Sequence, residues 1–452
     1  MLLALMVLAG MPDWVPARWN STDPASLDLM AGTPINCLLL EEKSWGLAQA
    51  AREKGIAALA VVAPGEQALE KARRGVAAGA AGVVLEGDFD PAAADRIRAA
   101  LADSRIPVIG MPARYRMPLD GSASVIGTYQ GVWPGLRTED EHSVKAAPSG
   151  GAWIDTNTGF LRFVHAATNA VVWVGIRPPS PNTWRVERYL QAVADAAISG
   201  GRWVVALDAD FEKRLLGGDA AARKDWQRIG GLLRFFEDHK EWRTLPPAGQ
   251  LALVQDVPQG ALLSGGILDM IAVKHTPVRP VPVRRLRPGA MGEAKMAVNV
   301  DPGALTAEQS AVLKAFTRAG GTLLSGPAGW KFPSWNGGRI TLPEEDTRTL
   351  DTIWKEVNNM TGRRNLGVRL FNVSSMLSNL LAAPGGKGLV LQLVNYSDYP
   401  VEGITAHVLG AYQHARLLTP EGESKSLEVY PVDEGTGVDI DRLNVVGVIQ
   451  LD

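Results

Sequence analysis

The chain has 452 residues, of which 46% are apolar and 21% charged. That is enough for roughly two to four domains of about 100–200 residues each, and it excludes a disordered polypeptide. Forty-six basic against 48 acidic side chains leave a formal charge of −2, so there is no excess positive field for nucleic acid. A single cysteine, Cys37, excludes an internal disulfide and any zinc site built on several thiolates.

The opening MLLALMVLAG has the length of the apolar middle of a secretory leader and is too short for a bilayer span. It predicts a secreted or periplasmic protein, with a buried strand or helix as the other reading. No other stretch approaches the ~20 apolar residues of a membrane helix, so no membrane span is expected. From Ile35 to Asp208 short apolar runs follow one another between turn residues: Ile35–Glu41, Ile56–Ala63, Gly82–Gly87, Ile106–Met111, Ser124–Tyr129, Ala152–Asp155, Val171–Ile176 and Arg202–Asp208. Continuous rather than alternating apolarity is the pattern of strands buried on both faces, as in parallel sheets. Between them lie helical stretches. Val186, Tyr189, Leu190, Val193 and Ala197 form one buried stripe, and Asp90-Pro91 reads as a helix start.

Eight strand and helix repeats, closed by a last helix over Asp225–His239, predict a (β/α)8 TIM-type barrel over residues 35–244. A doubly wound open sheet is the alternative. Residues 1–34 are then a leader-like segment and extension. After LPPAGQ a second α/β rhythm begins (LALVQD, GGILDMIAVKH, VPVRRL, KMAVNVD), and Thr306 and Gln309 make a capping box for a helix stopped by Gly320-Gly321 before TLLSG. This predicts a small open α/β domain over 245–364. From 365 to 452, strands without helices, with turn residues every 8–12 positions, predict a β-sandwich. The fold class is therefore multidomain α/β.

The segments Thr306–Trp330 (TAEQSAVLKAFTRAGGTLLSGPAGW) and Leu389–Val408 (LVLQLVNYSDYPVEGITAHV) resemble parts of bacterial glycoside hydrolases of the β-galactosidase type, which carry a trimerisation-like domain and a terminal β-sandwich. TYQGVWPG and GAWIDTNTGF resemble stretches of other sugar-hydrolase-like proteins. The middle domain also resembles class I amidotransferase domains. No cysteine lies between Leu245 and Trp354, so the thiolate that such chemistry requires is missing. The resemblance implies a carbohydrate-active protein, an oligo- or polysaccharide partner and a homo-oligomer formed through the middle domain.

In a (β/α)8 barrel the chemistry sits at the carboxyl ends of the strands. The acids there are Glu41 and Glu42, Glu86 and Asp88, Asp155, and Asp208 and Asp210. Glycoside hydrolysis requires one carboxylic acid to protonate the leaving oxygen and one carboxylate to attack or to activate water. Glu86 and Asp155 are the first catalytic candidates, with Asp208 the third. Each also reads as a cap or loop bridge. The acids are not at the fourth and seventh strands, as in the large barrel glycosidase clan; those ends read MPARYR and GIRPP.

The long connection Tyr129–Gly151 holds Gln130, Trp133, Arg137 and His142. An indole face and amide or guanidinium donors suit a sugar ring and its hydroxyls. Gln130, Trp133, Arg137, Asn157, Arg177 and Glu41 form the expected substrate-binding set, with loop-pinning and ion-pairing roles as the alternatives. Arg114 and Arg116 bring further cations to the same rim. Nucleotide, zinc-peptidase and serine-esterase motifs are missing from the sequence. Six scattered histidines, with His239 and His275 in helical contexts, give no metal spacing. The sequence thus predicts a glycoside hydrolase working with paired carboxylates, no cofactor and no metal. Two alternatives stand beside it: a non-catalytic sugar-binding or assembly protein with a degenerate barrel, and a lyase or isomerase with a divalent ion at Asp208 and Asp210.

Overall fold

A computed structural model describes residues 10–452 except 139–142, 147–150, 180–182, 256–274, 301–302, 304, 326–333, 337–338, 342–343 and 363–366. The leader-like run up to residue 9, His142 and most of GGILDMIAVKH therefore lie outside the described residues. The chain divides into two compact units. The first comprises residues 1–131, 168–189 and 201–238, and the second 132–167, 190–200 and 239–452. No helix among the described residues is long and apolar enough to cross a membrane.

In chain order the first strands are β1 (Pro16–Trp19), β2 (Cys37–Leu40), β3 (Ala57–Val62), β4 (Gly82–Glu86), β5 (Val108–Met111), β6 (Val125–Thr128), β7 (Gly135–Leu136), β8 (Ile154–Asp155), β9 (Val171–Val174) and β10 (Gly201–Trp203). The helices among and just after them are α1 (Ala48–Glu53), α2 (Ala68–Ala77), α3 (Pro91–Ala102), α4 (Thr158–Ala167), α5 (Val186–Ala197), α6 (Ala209–Leu216) and α7 (Ala220–Asp238).

The first unit contains a five-stranded parallel sheet in the order β1-β2-β3-β4-β5 and a three-stranded parallel sheet in the order β10-β9-β6. A parallel bridge joins Ala17 to Val205, and Arg18 N–H donates to Val205 O at 2.7 Å. No ladder runs between β5 and β6 among the described residues. Their side chains nevertheless meet. A Cβ on Gly127 of β6 would lie 2.8 Å from Met111 Cγ of β5, and the Thr128 hydroxyl donates to Pro112 O at 2.8 Å.

One apolar cluster draws on both sheets, with Cys37, Leu59, Val84, Met111, Val125, Trp173 and Val204 among its members. Alternate residues of β3 and β4, such as Val62, Val83 and Leu85, turn to the other face and pack on Ala72 of α2 and Ile97 of α3. Both faces are therefore covered, which is why the strands read as unbroken apolar runs.

Two assignments from the sequence change here. The run at Ala152–Asp155 is not a strand of the parallel sheets: Ile154–Asp155 pairs antiparallel with Gly135–Leu136, and Ala152 bridges antiparallel to Ala146. The strand that the sequence left in an N-terminal extension is Pro16–Trp19, parallel to β2. At α3, Pro91 takes the first turn as expected, but the Asp90 side chain makes no cap hydrogen bond.

In the second unit a four-stranded parallel sheet runs β12-β11-β13-β14, comprising β11 (Leu251–Gln255), β12 (Val278–Pro282), β13 (Met296–Asn299) and β14 (Thr322–Ser325). Helix α8 (Ala307–Arg318) carries the full reciprocal capping box of Thr306 and Gln309, as its sequence predicts. A two-stranded hairpin, β15 (Ser334–Asn336) with β16 (Arg339–Thr341), and α9 (Glu344–Thr361) follow.

The terminal strands are β17 (Val368–Phe371), β18 (Met376–Ala382), β19 (Leu389–Asn395), β20 (Val401–Leu409), β21 (Ala415–Thr419), β22 (Gly422–Leu427), β23 (Val429–Val432), β24 (Gly435–Leu443) and β25 (Val446–Leu451). They form two sheets, β17-β20-β24-β23 and β18-β19-β25-β21-β22, with antiparallel ladders throughout. Leu391, Leu393 and Ile449 from one sheet and Ile404, Val408 and Ile440 from the other share one core, as alternating inward residues do in stacked sheets. His275, expected in a helix, lies in a turn at φ 58° and shares a hydrogen bond with the Ser378 hydroxyl at 3.2 Å.

Candidate functional site at the carboxyl ends of the parallel strands

In the first unit the ends of β1, β2, β4 and β9 bring four charged side chains together. Arg18 lies within β1, Glu41 just past β2, Glu86 ends β4 and Arg177 follows β9. The Arg18 guanidinium pairs with Glu86 and reaches Glu41 at 3.5 Å; Arg177 pairs with Glu41 and reaches Glu86 at 3.8 Å. Two carboxylates thus share two guanidiniums in a charge-neutral ring. Arg18 is buried at 5% exposure while Arg177 stays 53% exposed, so the ring is sealed on one side and open on the other. Arg18 Nε and Nη1 are buried without a hydrogen-bond partner.

The sequence placed Glu86, Glu41 and Arg177 at a common rim, and the structure brings them together. It missed Arg18 because the strand that carries it was not recognised. PARWN holds an arginine near the carboxyl end of a short strand, and that was the available signal.

Gln130 is buried and fixed one strand further round. Its side-chain oxygen accepts from Arg114 N–H at 3.0 Å, its carbonyl accepts from Arg114 Nε at 2.7 Å, and its own N–H donates to Thr128 Oγ1. Asp88 accepts from Ala113 N–H at 2.8 Å. Burial, followed by the Asp88 charge and Tyr115, raises the Tyr129 phenol above its ordinary pKa, so this tyrosine stays protonated through neutral pH.

Asp208 is the N-cap of α6. Its carboxylate accepts from Phe211 N–H at 2.9 Å, from the Tyr189 hydroxyl at 2.6 Å and from Trp184 N–H at 3.2 Å. Burial, and next the hydrogen bond to Asp208, push the Tyr189 phenol up. Asp210 pairs with Arg214. These bonds occupy both carboxylates locally, and no group of three or more metal-ligating side chains exists among the described residues. The divalent-ion reading of Asp208 and Asp210 loses its geometric support.

Asp155 and its neighbours belong to the second unit. Arg137 grips Asp155 with two nitrogens, the Trp153 indole donates to the same carboxylate at 3.3 Å, and Arg137 and Lys145 lie over the Trp153 ring at 4.7 and 5.5 Å. The long connection is thus pinned by a cation–π and ion-pair cluster. Trp133 is half-buried.

Asn157 is fully buried and fully engaged. It exchanges hydrogen bonds with Val132 N–H and C=O at 2.8 Å each, and it donates its side-chain amide and its backbone N–H to Asp195 at 2.8 and 2.9 Å. Asp195 on α5 also accepts from the hydroxyls of Thr156 and Tyr396, the latter at 2.7 Å. Complete burial raises its carboxyl pKa despite these donors. The sequence did not single out Asp195. Its signal was Gln191 and Asp195, both fully buried, at i and i+4 on a helix whose remaining residues from Tyr189 onward are apolar or aromatic.

No family model and no curated protein matches the chain. Solved structures do. α-L-Fucosidase isoenzyme 2 from Paenibacillus thiaminolyticus aligns over 97% of this chain and 99% of its own at TM-score 0.65 and 10% identity, which shows a shared fold. A rhamnosidase from Novosphingobium sp. PP1Y aligns over 90% of this chain and 40% of its own at TM-score 0.48 and 12% identity. A maltogenic α-amylase, AmyB, from Thermotoga neapolitana aligns over 97% and 99% at TM-score 0.32 and 8% identity. The chain therefore has a multidomain α/β fold of the kind found in that fucosidase.

Proposed function

We propose that this protein is a glycoside hydrolase whose reaction takes place at the carboxyl ends of eight parallel strands that close as a (β/α)8 barrel. The shared apolar core of the two parallel sheets, the Ala17–Val205 bridge and the Met111–Gly127 contact support the closure. The observation that carries the function is the pairing of Glu86 and Glu41 across Arg18 and Arg177. It puts two carboxyl groups side by side where such barrels do their chemistry.

In this reading Glu86, the more enclosed of the two and gripped by Arg18, supplies the carboxylate that attacks the anomeric carbon or activates water. Glu41, nearer solvent beside the exposed Arg177 side chain, takes up a proton from solvent as its pairing with Arg177 opens, and passes it to the departing oxygen. Arg18 holds Glu86 through a single charge-assisted bond from Nη2. Asp155 and Asp208 hold local structure, Asp155 in the Arg137–Trp153 cluster and Asp208 at the start of α6. The fold alone is shared with the fucosidase, and the same fold hosts many chemistries. The four-stranded α/β domain serves as an oligomerising element and the protein is exported in the same proposal.

The test is hydrolysis of aryl glycosides, aryl α-L-fucoside included, and of oligosaccharides. Glu86→Gln is expected to lower kcat/KM by about 10²- to 10⁴-fold with its circular dichroism unchanged, whereas Asp155→Asn leaves measurable turnover. Parent-like activity of Glu86→Gln would overturn the assignment. A second reading, a sugar-binding protein without turnover, is favoured by the guanidinium grip on Glu86 and on Asp155. Saccharide binding by calorimetry with no hydrolysis of any substrate in the panel would establish it.

A further inference from the structure

The second unit contains a cavity of about 440 Å³. Its basic lining comes from separate stretches of chain. Arg162 and His165 belong to α4, Arg243 to the turn Lys240–Thr244, Arg279 to β12, and Arg285 and Arg287 to the turn after it. No aspartate or glutamate lines it among the described residues.

The cations are held in place by bonds to backbone. Arg162 Nη2 donates to Ser378 O at 2.8 Å and Arg279 Nη2 donates to Pro247 O at 3.0 Å. Arg284, next to the cavity, donates to Ala167 O at the end of α4 and ties the β12 turn to that helix. Arg279 Nε is buried with no hydrogen-bond partner. Arg279, Arg285 and Arg287 make no ion pair among the described residues.

The wall beside His165 is shaped by Gly200. This glycine has φ 82°, and a Cβ there would come within 2.9 Å of His165 Nδ1, so only glycine admits the imidazole at this position. Burial, and secondarily the Arg285 charge, hold His165 below its ordinary pKa. The neutral ring leaves the arginines as the source of charge.

Arg279, Arg285 and Arg287 face one hollow with no counter-charge among the described residues, and an anion bound there would supply it. Arginine forks match the oxygens of phosphate, sulfate and carboxylate groups in pairs. The volume lies in the range of about 300–1,000 Å³ typical of small-molecule sites, larger than a bare oxyanion needs. Pro280 and Pro288 add apolar wall. We infer that this cavity is a binding site for an anionic small molecule of monosaccharide size, bearing a phosphate, sulfate or carboxylate group that the arginines clasp. The inference does not depend on the hydrolase reading.

Isothermal titration of the full chain with glucose 6-phosphate, glucose 6-sulfate and glucuronate, against glucose and inorganic phosphate, tests it. The expected result is saturable binding of one or more of the charged sugars. The ranking of the three distinguishes phosphate, sulfate and carboxylate as the natural group. Arg285 and Arg287 are exposed, so Arg285→Ala/Arg287→Ala leaves the melting temperature unchanged and is expected to weaken binding at least about tenfold. Arg279→Gln gives an independent loss from the buried side. Three outcomes would overturn the inference: no binding of any charged sugar up to about 10 mM, inorganic phosphate bound as tightly as every charged sugar, or affinity unaltered in both variants.

Discussion

Two arginine clusters, one in each unit, use arginine in opposite ways. In the first, Arg18 and Arg177 are matched one for one by Glu86 and Glu41. In the second, Arg279, Arg285 and Arg287 line a hollow with no acid in its wall among the described residues. A matched cluster holds its geometry without help. An unmatched one is incomplete until a ligand supplies the anion. The second unit also contains the counterpart of this arrangement, Asp195, a carboxylate that is buried without any cation and satisfied by neutral donors alone.

The sharpest way to probe this contrast is Asp195. Asp195→Ala strands the Thr156, Asn157 and Tyr396 donors in a dry interior. It is expected to cost about 3–5 kcal/mol, read as a fall in the denaturant midpoint at unchanged m-value. Asp195→Asn costs less. Because the folded pKa of Asp195 lies above the unfolded one, the folded state binds the proton more tightly. Stability from this group is therefore complete below the unfolded carboxyl pKa of about 3.9 and declines as pH rises through the folded pKa. Asp195→Asn should flatten that decline, and an unaltered pH profile would show that neutral donors fully compensate the buried charge.

Next in size is Arg18→Met. It leaves Glu86 facing only the exposed Arg177, at an expected loss of about 2–4 kcal/mol. A loss below about 0.5 kcal/mol would mean that the ring is no more than a surface pair. The smallest effect is on His165. Arg285→Ala removes a neighbouring cation and is expected to raise the imidazole pKa, followed by NMR titration. An unmoved titration would place Arg285 too far from the cavity wall to act on it.

The apolar runs at Ile56, Gly82, Ser124 and Val171 were legible because burial on both faces leaves no polar alternation to confuse the reading. Pro16–Trp19 was not, since a four-residue strand with an arginine and a tryptophan carries no periodicity. AWID looked like a strand for the same reason that the true strands did. Its pairing partner, Gly135–Leu136, is a two-residue segment with no pattern of its own. At the site, Glu86 and Glu41 could be placed from strand ends alone. Asp208 also reads as a cap in the sequence, and it caps α6. What sequence could not supply was which arginine meets which carboxylate, because Arg18 and Glu86, or Arg162 and Ser378, are joined only by the fold.

The bridge between Ala17 and Val205 also bears on how the chain is made. β1 leaves the ribosome well before Val205, yet one of its edges is completed only when Val205 N–H reaches Pro16 O and Arg18 N–H reaches Val205 O. At about 5–20 residues per second, roughly 10–40 s of synthesis separate the two. Throughout that interval the nascent strand presents unsatisfied backbone groups, a surface on which a neighbouring chain can pair. Closure so distant in sequence makes folding slow and leaves that edge open to pairing until Val205 arrives.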